Sequence, residues 1–202
     1  MDTNIVDHKM YRKNRKLIED YFKKHEKNCR KKGMPIEVIH RHVSPSENYF
    51  LSLSLCETKP GCWSYTRGVV TDTSDKVIAD IKRNYAAFPF LWVTHPNGYE
   101  YLVCGEDYQG YTVVNVTKGT SQTYVPEGWL KGAGFCWTGY KFDAEKVQLI
   151  VDGCYWACPY EIVTYDFSNP DVLPLPELKR EDMPDEDEDD NDDEPEPEEP
   201  VK

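Results

Sequence analysis

Apolar positions follow two different periods along the chain. In residues 9–31, KMYRKNRKLIEDYFKKHEKNCRK, they recur at helical spacing: Leu17 with Tyr21, Ile18 with Phe22, and Tyr11 seven before Ile18. This narrow stripe predicts an amphipathic helix whose lysines and arginines face water, stopped by Gly33 and then Pro35. From residue 35 the pattern shortens. IEVIH, YFLSLSL, GVVTDT, FPFLWVTH, YEYLVCG, YTVVNV, KVQLIVDG and YEIVTYD are short runs of β-branched and aromatic residues bounded by Gly, Pro, Asn and Asp, and each predicts a strand. Residues 74–84, SDKVIADIKRN, fit either a helical turn or two or a strand ending in a loop. Parallel strands need long crossover helices, and none recur here, so the strands are expected to pair antiparallel.

Charge divides the 202 residues into three regions that the net value of -12 conceals. Residues 1–33, read as a basic helical arm, hold 11 basic and 5 acidic side chains. Residues 34–178, the β domain, hold 10 and 17, and residues 179–202 hold 3 and 14. The last segment, KREDMPDEDEDDNDDEPEPEEPVK, has almost nothing to bury and is expected to be a disordered acidic tail. DVLPLPEL before it should run extended over the domain, anchored by Leu173, Leu175 and Leu178. With no apolar run of spanning length and no apolar leader, neither a membrane protein nor a conventionally secreted one is expected. Seven cysteines, an odd number beside aromatic residues, point to reduced, mostly buried thiols in the cytoplasm or nucleus. Cys154 and Cys158, and Cys56 and Cys62, are poorly spaced for zinc, so no metal or other cofactor is expected.

Three segments share a plan in which an apolar run leads through a Gly or Cys turn to a second aromatic or β-branched run. They are YFLSLSLCETKPGCWSYTRGVV at 49–70, YEYLVCGEDYQGYTVVNV at 99–116 and VQLIVDGCYWACPYEIVTYD at 147–166. Their spacing of about 40 to 50 residues resembles the blade period of β-propellers, which implies a binding scaffold. Three units are too few for the ring of four or more blades that propellers close, so an open stack, an oligomer or an ordinary antiparallel sheet would follow. The layout also resembles that of uncharacterised proteins of large DNA viruses, which implies a cytoplasmic, nuclear or virion-associated setting. The expected fold is mainly β, an antiparallel sheet of repeated hairpins in a sandwich or open propeller-like arrangement, with an N-terminal amphipathic helix.

Motifs for phosphate cradles, zinc hydrolysis, serine hydrolysis and calcium loops are absent, and Gly128, Gly132 and Gly134 read as turn glycines. His8 and His25 belong to the arm. His40 and His42 share one face of a strand, and His95 in THPNG reads as a surface turn residue. A hydrolase or nuclease would have to combine these three histidines with a carboxylate such as Glu106 or Asp107.

Fourteen tyrosines and five tryptophans are more informative, because several rings sit in turn-rich segments. Core packing claims most of them. The expected recognition surface comprises Trp63, Tyr65, Tyr108, Tyr111, Tyr155 and Trp156, with Tyr140 and Tyr160 nearby in the same class. The leading functional expectation is a non-enzymatic interaction or assembly module whose aromatic β surface contacts a protein while the acidic tail engages basic partners such as histone-like proteins. The alternatives are the small hydrolase or nuclease above, and a structural subunit or homo-oligomer assembling through sheet edges. Nucleic acid is disfavoured by the acidic body and would be contacted only through the basic helix.

Overall fold

Continuous apolar runs and alternating ones end up in different layers of the molecule. The computed structural model describes residues 2–4, 9–31, 38–57, 64–83, 87–105, 110–126, 135–155 and 158–183. In chain order these form β1 (Asp2–Asn4), α1 (Lys9–Lys31), β2 (Val38–Val43), β3 (Tyr49–Glu57), β4 (Ser64–Asp72), β5 (Val77–Arg83) and β6 (Phe90–Thr94). Then follow β7 (Glu100–Gly105), β8 (Tyr111–Asn115), β9 (Thr120–Tyr124), β10 (Phe135–Asp143), β11 (Gln148–Tyr155), β12 (Tyr160–Asp166) and β13 (Glu177–Asp182). Of residues 74–84, the described ones yield the strand β5 and no helical turn. Among the described residues no helix is long and apolar enough to cross a membrane.

The strands make three sheets, ordered β2-β3-β4-β5, β1-β9-β8-β7-β6 and β10-β11-β12-β13. Every pairing is antiparallel except that of β1 with β9. The three similar segments found in the sequence supply the central hairpin of each sheet, β3-β4, β7-β8 and β11-β12. The propeller resemblance is nevertheless corrected, because the hairpins belong to three separate sheets that do not close on one another. They pack instead as a layered sandwich.

The sheet containing β7 and β8 is the middle layer. Tyr101, Val103, Tyr111 and Val113 face the sheet of β10–β13, where they meet Trp137, Leu149, Val151 and Val163. Leu102, Cys104 and Val114 face the sheet of β2–β5, against Leu51, Leu53, Val70 and Ile81. Every residue of β7 and β8 is therefore buried, which explains why YLVC and YTVV are continuous rather than alternating. The outer strand β5 alternates, as a strand with one buried face should. Each fully buried Leu, Val or Phe contributes about 1.5–3 kcal/mol, and the middle layer concentrates that gain on both of its faces.

Helix α1 lies on the far side of the β2–β5 sheet. Ile18 and Phe22 are buried against Cys56 and Tyr65, and Tyr21 stacks on Tyr65 with ring centroids 5.2 Å apart. Arg67 forks Asp80 at 2.8 Å through Nε and Nη2, and its Nη1 also pairs with Glu26 of the helix. Leu17, expected in the apolar stripe, is exposed because the contact strip is narrower than the sequence pattern. Glu100 tethers the turn before β3 to the middle sheet, accepting from Ser44 Oγ at 3.3 Å, Ser46 Oγ at 2.5 Å and the Ser46 amide at 3.2 Å.

The boundary expected between residues 178 and 179 falls inside β13. Lys179, Arg180, Glu181 and Asp182 pair with Thr164, Val163, Ile162 and Glu161 of β12, so the acidic segment begins as an edge strand. Leu173 and Leu175 are buried as the expected anchors, whereas Leu178 is exposed. Residues 184–202 lie outside the described residues.

Two truncations separate these segments. Ending the chain after Met183 is expected to leave the melting temperature and far-UV circular dichroism nearly unchanged. Ending it after Leu178 removes most of β13 and should cost about 2 kcal/mol or more, lowering the melting temperature by roughly 4–8 °C. Equal melting temperatures for the two chains would contradict the assignment of β13 to the folded body.

Candidate functional site

Phe135 and Trp137 alternate inward at the start of β10. A bulge between Trp137 and Gly139 then adds Thr138, so Tyr140 and Phe142 point inward as well. This phase shift places four aromatic residues of one strand against the middle sheet. Close approach needs space on the neighbouring strand: a Cβ on Gly153 would lie 2.7 Å from the Phe135 ring and 2.2 Å from the Cys136 carbonyl.

A second bulge, in β13 opposite Thr164 and Tyr165 of β12, sets Tyr165 opposite Glu177 while Thr164 stays opposite Lys179. With Leu178 absorbed as the extra residue, Glu177 and Arg180 lie on one face although they are three apart. Arg180 Nε and Nη2 donate to the Glu177 carboxylate at 2.9 and 2.7 Å, and Nη1 donates to Glu161 at 2.6 Å. Its guanidinium carbon lies 5.0 Å from the Phe135 ring centre and 5.2 Å from that of Tyr155. The bonds to Glu177 hold the Arg180 charge even more firmly than usual, with Glu161 adding to them.

These features border a cleft of about 300 Å³ between the middle sheet and the β10–β13 sheet. Its floor is rigid. Tyr111 stacks on Trp137 at 4.2 Å and 14°, and its hydroxyl accepts the Leu175 amide at 2.6 Å. The Trp137 indole N–H bonds the Tyr165 hydroxyl. Burial pushes the Tyr111 and Tyr165 hydroxyls well above the ordinary tyrosine range. The half-buried rings of Tyr124 and Tyr155 form part of the walls, with Pro126 and Pro174 beside them.

Of the residues expected to form a recognition surface, Tyr111 and Tyr155 meet in this cleft. Tyr65 is corrected to a core role, because it is buried beneath α1 on another sheet. Trp63, Tyr108 and Trp156 lie outside the described residues, as do Glu106 and Asp107. Tyr140 staples two sheets, accepting from the Gly105 amide at 2.7 Å and donating to the Pro89 carbonyl at 3.2 Å. Tyr160 is exposed at the start of β12. Tyr124, Phe135, Trp137, Tyr165, Glu177 and Arg180 join Tyr111 and Tyr155 in the cleft without having been expected there from the sequence. Period-two spacing carried a signal for Phe135 and Trp137, whereas Arg180 was hidden by the charge composition around it.

His40 and His42 neighbour each other on β2 with ring centroids 6.0 Å apart, but His95 does not join them. His40 is exposed, and His42 packs on Phe90 with ring centroids 4.8 Å apart, at the start of β6. His95 follows the other end of β6, five residues on, or roughly 17 Å at the rise of an extended strand. The reading of His95 as a surface residue is corrected: it is 5% exposed, its Nε2 bonds the Phe167 carbonyl at 2.9 Å, and its Nδ1 accepts the Asn97 amide at 3.1 Å. Both ring nitrogens are used, which assigns the neutral tautomer with the proton on Nε2. Cys136 and Cys154 face one another across β10 and β11, and burial first, then the neighbouring thiol, pushes Cys136 up to about 11. Such a thiol is a poor nucleophile at neutral pH. Among the described residues no group of three or more His, Cys, Asp or Glu side chains is placed to hold a metal ion.

No family model matches the chain. It is similar to an uncharacterized protein of Acanthamoeba polyphaga mimivirus, with 32% identity over 130 residues, 64% of this chain and 51% of the relative. The chain thus spans about half the length of the curated relative it matches.

Two outcomes test the cleft's construction. Tyr111→Phe leaves the buried Leu175 amide without its acceptor and should destabilise the protein by about 1–3 kcal/mol in denaturant titration; an unchanged midpoint would remove that bond from the account. Stability should also fall above about pH 10, where unfolded tyrosines ionise while Tyr111 and Tyr165 in the fold hold their protons. Their raised values favour the fold below the unfolded pKa, and that contribution is lost as pH rises through the range above it. Melting curves of Tyr111→Phe and Tyr165→Phe should show a shallower alkaline decline than the parent, and identical slopes would assign the decline to other groups.

Proposed function

We propose that this protein is a non-enzymatic interaction or assembly module that engages a protein partner through the aromatic cleft and attracts basic partners through its acidic C-terminal segment. The observation that carries this reading is the cleft itself, a recess walled by aromatic and proline side chains over a hydrogen-bonded floor. Rigid rings offer large contact area at little entropic cost and are the common anchors of protein recognition. The few polar groups there, Glu177 and Arg180, are bonded to each other, a geometry suited to orienting a partner. Residues 184–202 contain 12 acidic side chains and one basic one, which supports long-range attraction of a positively charged surface. The similarity to a mimivirus protein supports a setting in a large-DNA-virus infection, in cytoplasm, nucleus or particle.

One further observation favours assembly through sheet edges as a second reading. Strand β2 is an edge strand, and Val38, Ile39 and Val43 are exposed on it. A concentration-dependent increase in mass by light scattering, abolished by Val38→Lys with Val43→Lys, would establish it; a constant monomer mass would remove it.

The main reading is tested with a histone as the basic probe. Calorimetric titration at moderate salt should show binding to the full chain. The double substitution Tyr124→Ala and Tyr155→Ala should weaken binding about tenfold with the fold retained by circular dichroism. Truncation after Met183 should reduce affinity most at low salt. Binding unaffected by either change would defeat the proposal.

A further inference from the structure

Resting on the interaction reading above, we propose that the aromatic cleft is a receptor site for an arginine side chain of a basic partner segment. Arg180 already displays the recognition chemistry. Its guanidinium lies over Phe135 and Tyr155 while Glu177 and Glu161 bond its edges. A guanidinium is flat and weakly hydrated and can stack and fork at once, whereas an ammonium is a compact, strongly hydrated charge.

The local charge has room for a second cation. Two carboxylates share one guanidinium at this wall, leaving one negative charge in excess. Arg180 uses one bond to each Glu177 oxygen, and a carboxylate oxygen has a second lone pair to offer. The chain beyond Arg180, residues 181–202, has 14 acidic side chains and one basic one. An acidic ligand is therefore repelled and a basic one drawn toward the cleft.

Size and rigidity point the same way. A volume of about 300 Å³ lies at the bottom of the range of small-ligand sites, suited to one long side chain rather than a large cofactor. The Tyr111–Trp137 stack fixes the floor, while Tyr124 and Tyr155 present partly exposed rings, so the site is organised before a ligand arrives. In this arrangement the acidic segment supplies attraction, and the rings with Glu177 supply the choice of side chain.

Three capped peptides of equal length distinguish the possibilities: Gly-Ser peptides with one central arginine, with its neutral isostere citrulline, and a proline-rich peptide. Each is titrated into the full-length chain and followed by calorimetry and by amide shifts at Gly110, Leu175 and Glu177. The arginine peptide is expected to bind at least tenfold more tightly than the citrulline peptide, with shifts at those three amides. Glu177→Gln, a change retaining side-chain size, should reduce the arginine-to-citrulline ratio at least threefold. Truncation after Met183 should lower the affinity for the arginine peptide and leave that for the neutral citrulline peptide unchanged, with a preference for arginine persisting in the truncated chain. Equal binding of arginine and citrulline, or preference for the proline-rich peptide with shifts at the same amides, overturns the arginine assignment and leaves the cleft as an interaction site. Absence of cleft shifts with all three peptides, when the histone still binds, overturns the arginine assignment and moves the partner contact to another surface. Failure of the histone to bind as well overturns both.

Discussion

The structure depends on burying the β7-β8 hairpin on both of its faces. A strand covered on one side tolerates polar residues at every second position, but Tyr101, Val103, Tyr111 and Val113 face apolar neighbours on one side and Leu102, Cys104 and Val114 on the other, where Cys104 and Thr112 also accept from the buried Arg83 guanidinium. Two further sheets are needed to cover them, and the molecule is a stack rather than a single layer. Thr112 shows how a polar group is accommodated there, by exchanging a hydrogen bond with Thr123 of β9 at 2.9 Å.

The cleft is a consequence of that stack. The β10–β13 sheet packs on the middle sheet through large rings, and two bulges decide which rings and charges face inward. Without the extra residue at Thr138, Tyr140 and Phe142 would turn away from the core. Without the one at Leu178, Glu177 and Arg180 would lie on opposite faces, and the fork could not form. Aromatic bulk, a guanidinium and two carboxylates thus come together through local irregularities in otherwise regular strands.

Much of the architecture was legible because secondary structure follows local periodicity. Helix α1 carries helical spacing, the strands carry β-branched and aromatic runs, and THPNG folds as the turn that Pro-Asn-Gly chemistry suggests, with Gly98 at a positive φ of 83°. Tyr111 and Tyr155, which line the cleft, were legible as candidates from the aromatic pattern, but Tyr65 could not be told from them. Its burial is caused by Ile18, Tyr21 and Phe22, more than forty residues earlier in the chain. His95 is a similar case. A turn position ordinarily faces water, and only the Phe167 carbonyl arriving from 72 residues away makes it a core residue.

The helix α1, most of the strands after it and their antiparallel pairing were thus legible in the sequence alone, since each depends on the spacing of neighbours along the chain. The same holds for the charge partition, because composition is local. The short β1, parallel to β9, and the choice of strand for β5 were not legible there. Tertiary structure decided the rest: that three similar hairpins form separate stacked sheets instead of a propeller, that the first residues of the acidic segment join β12 as a strand, and that Arg180 sits among aromatic rings. Those outcomes depend on which faces meet across long separations. A side chain's partners in space are fixed by the packing of whole sheets, which no period of two or of 3.6 encodes.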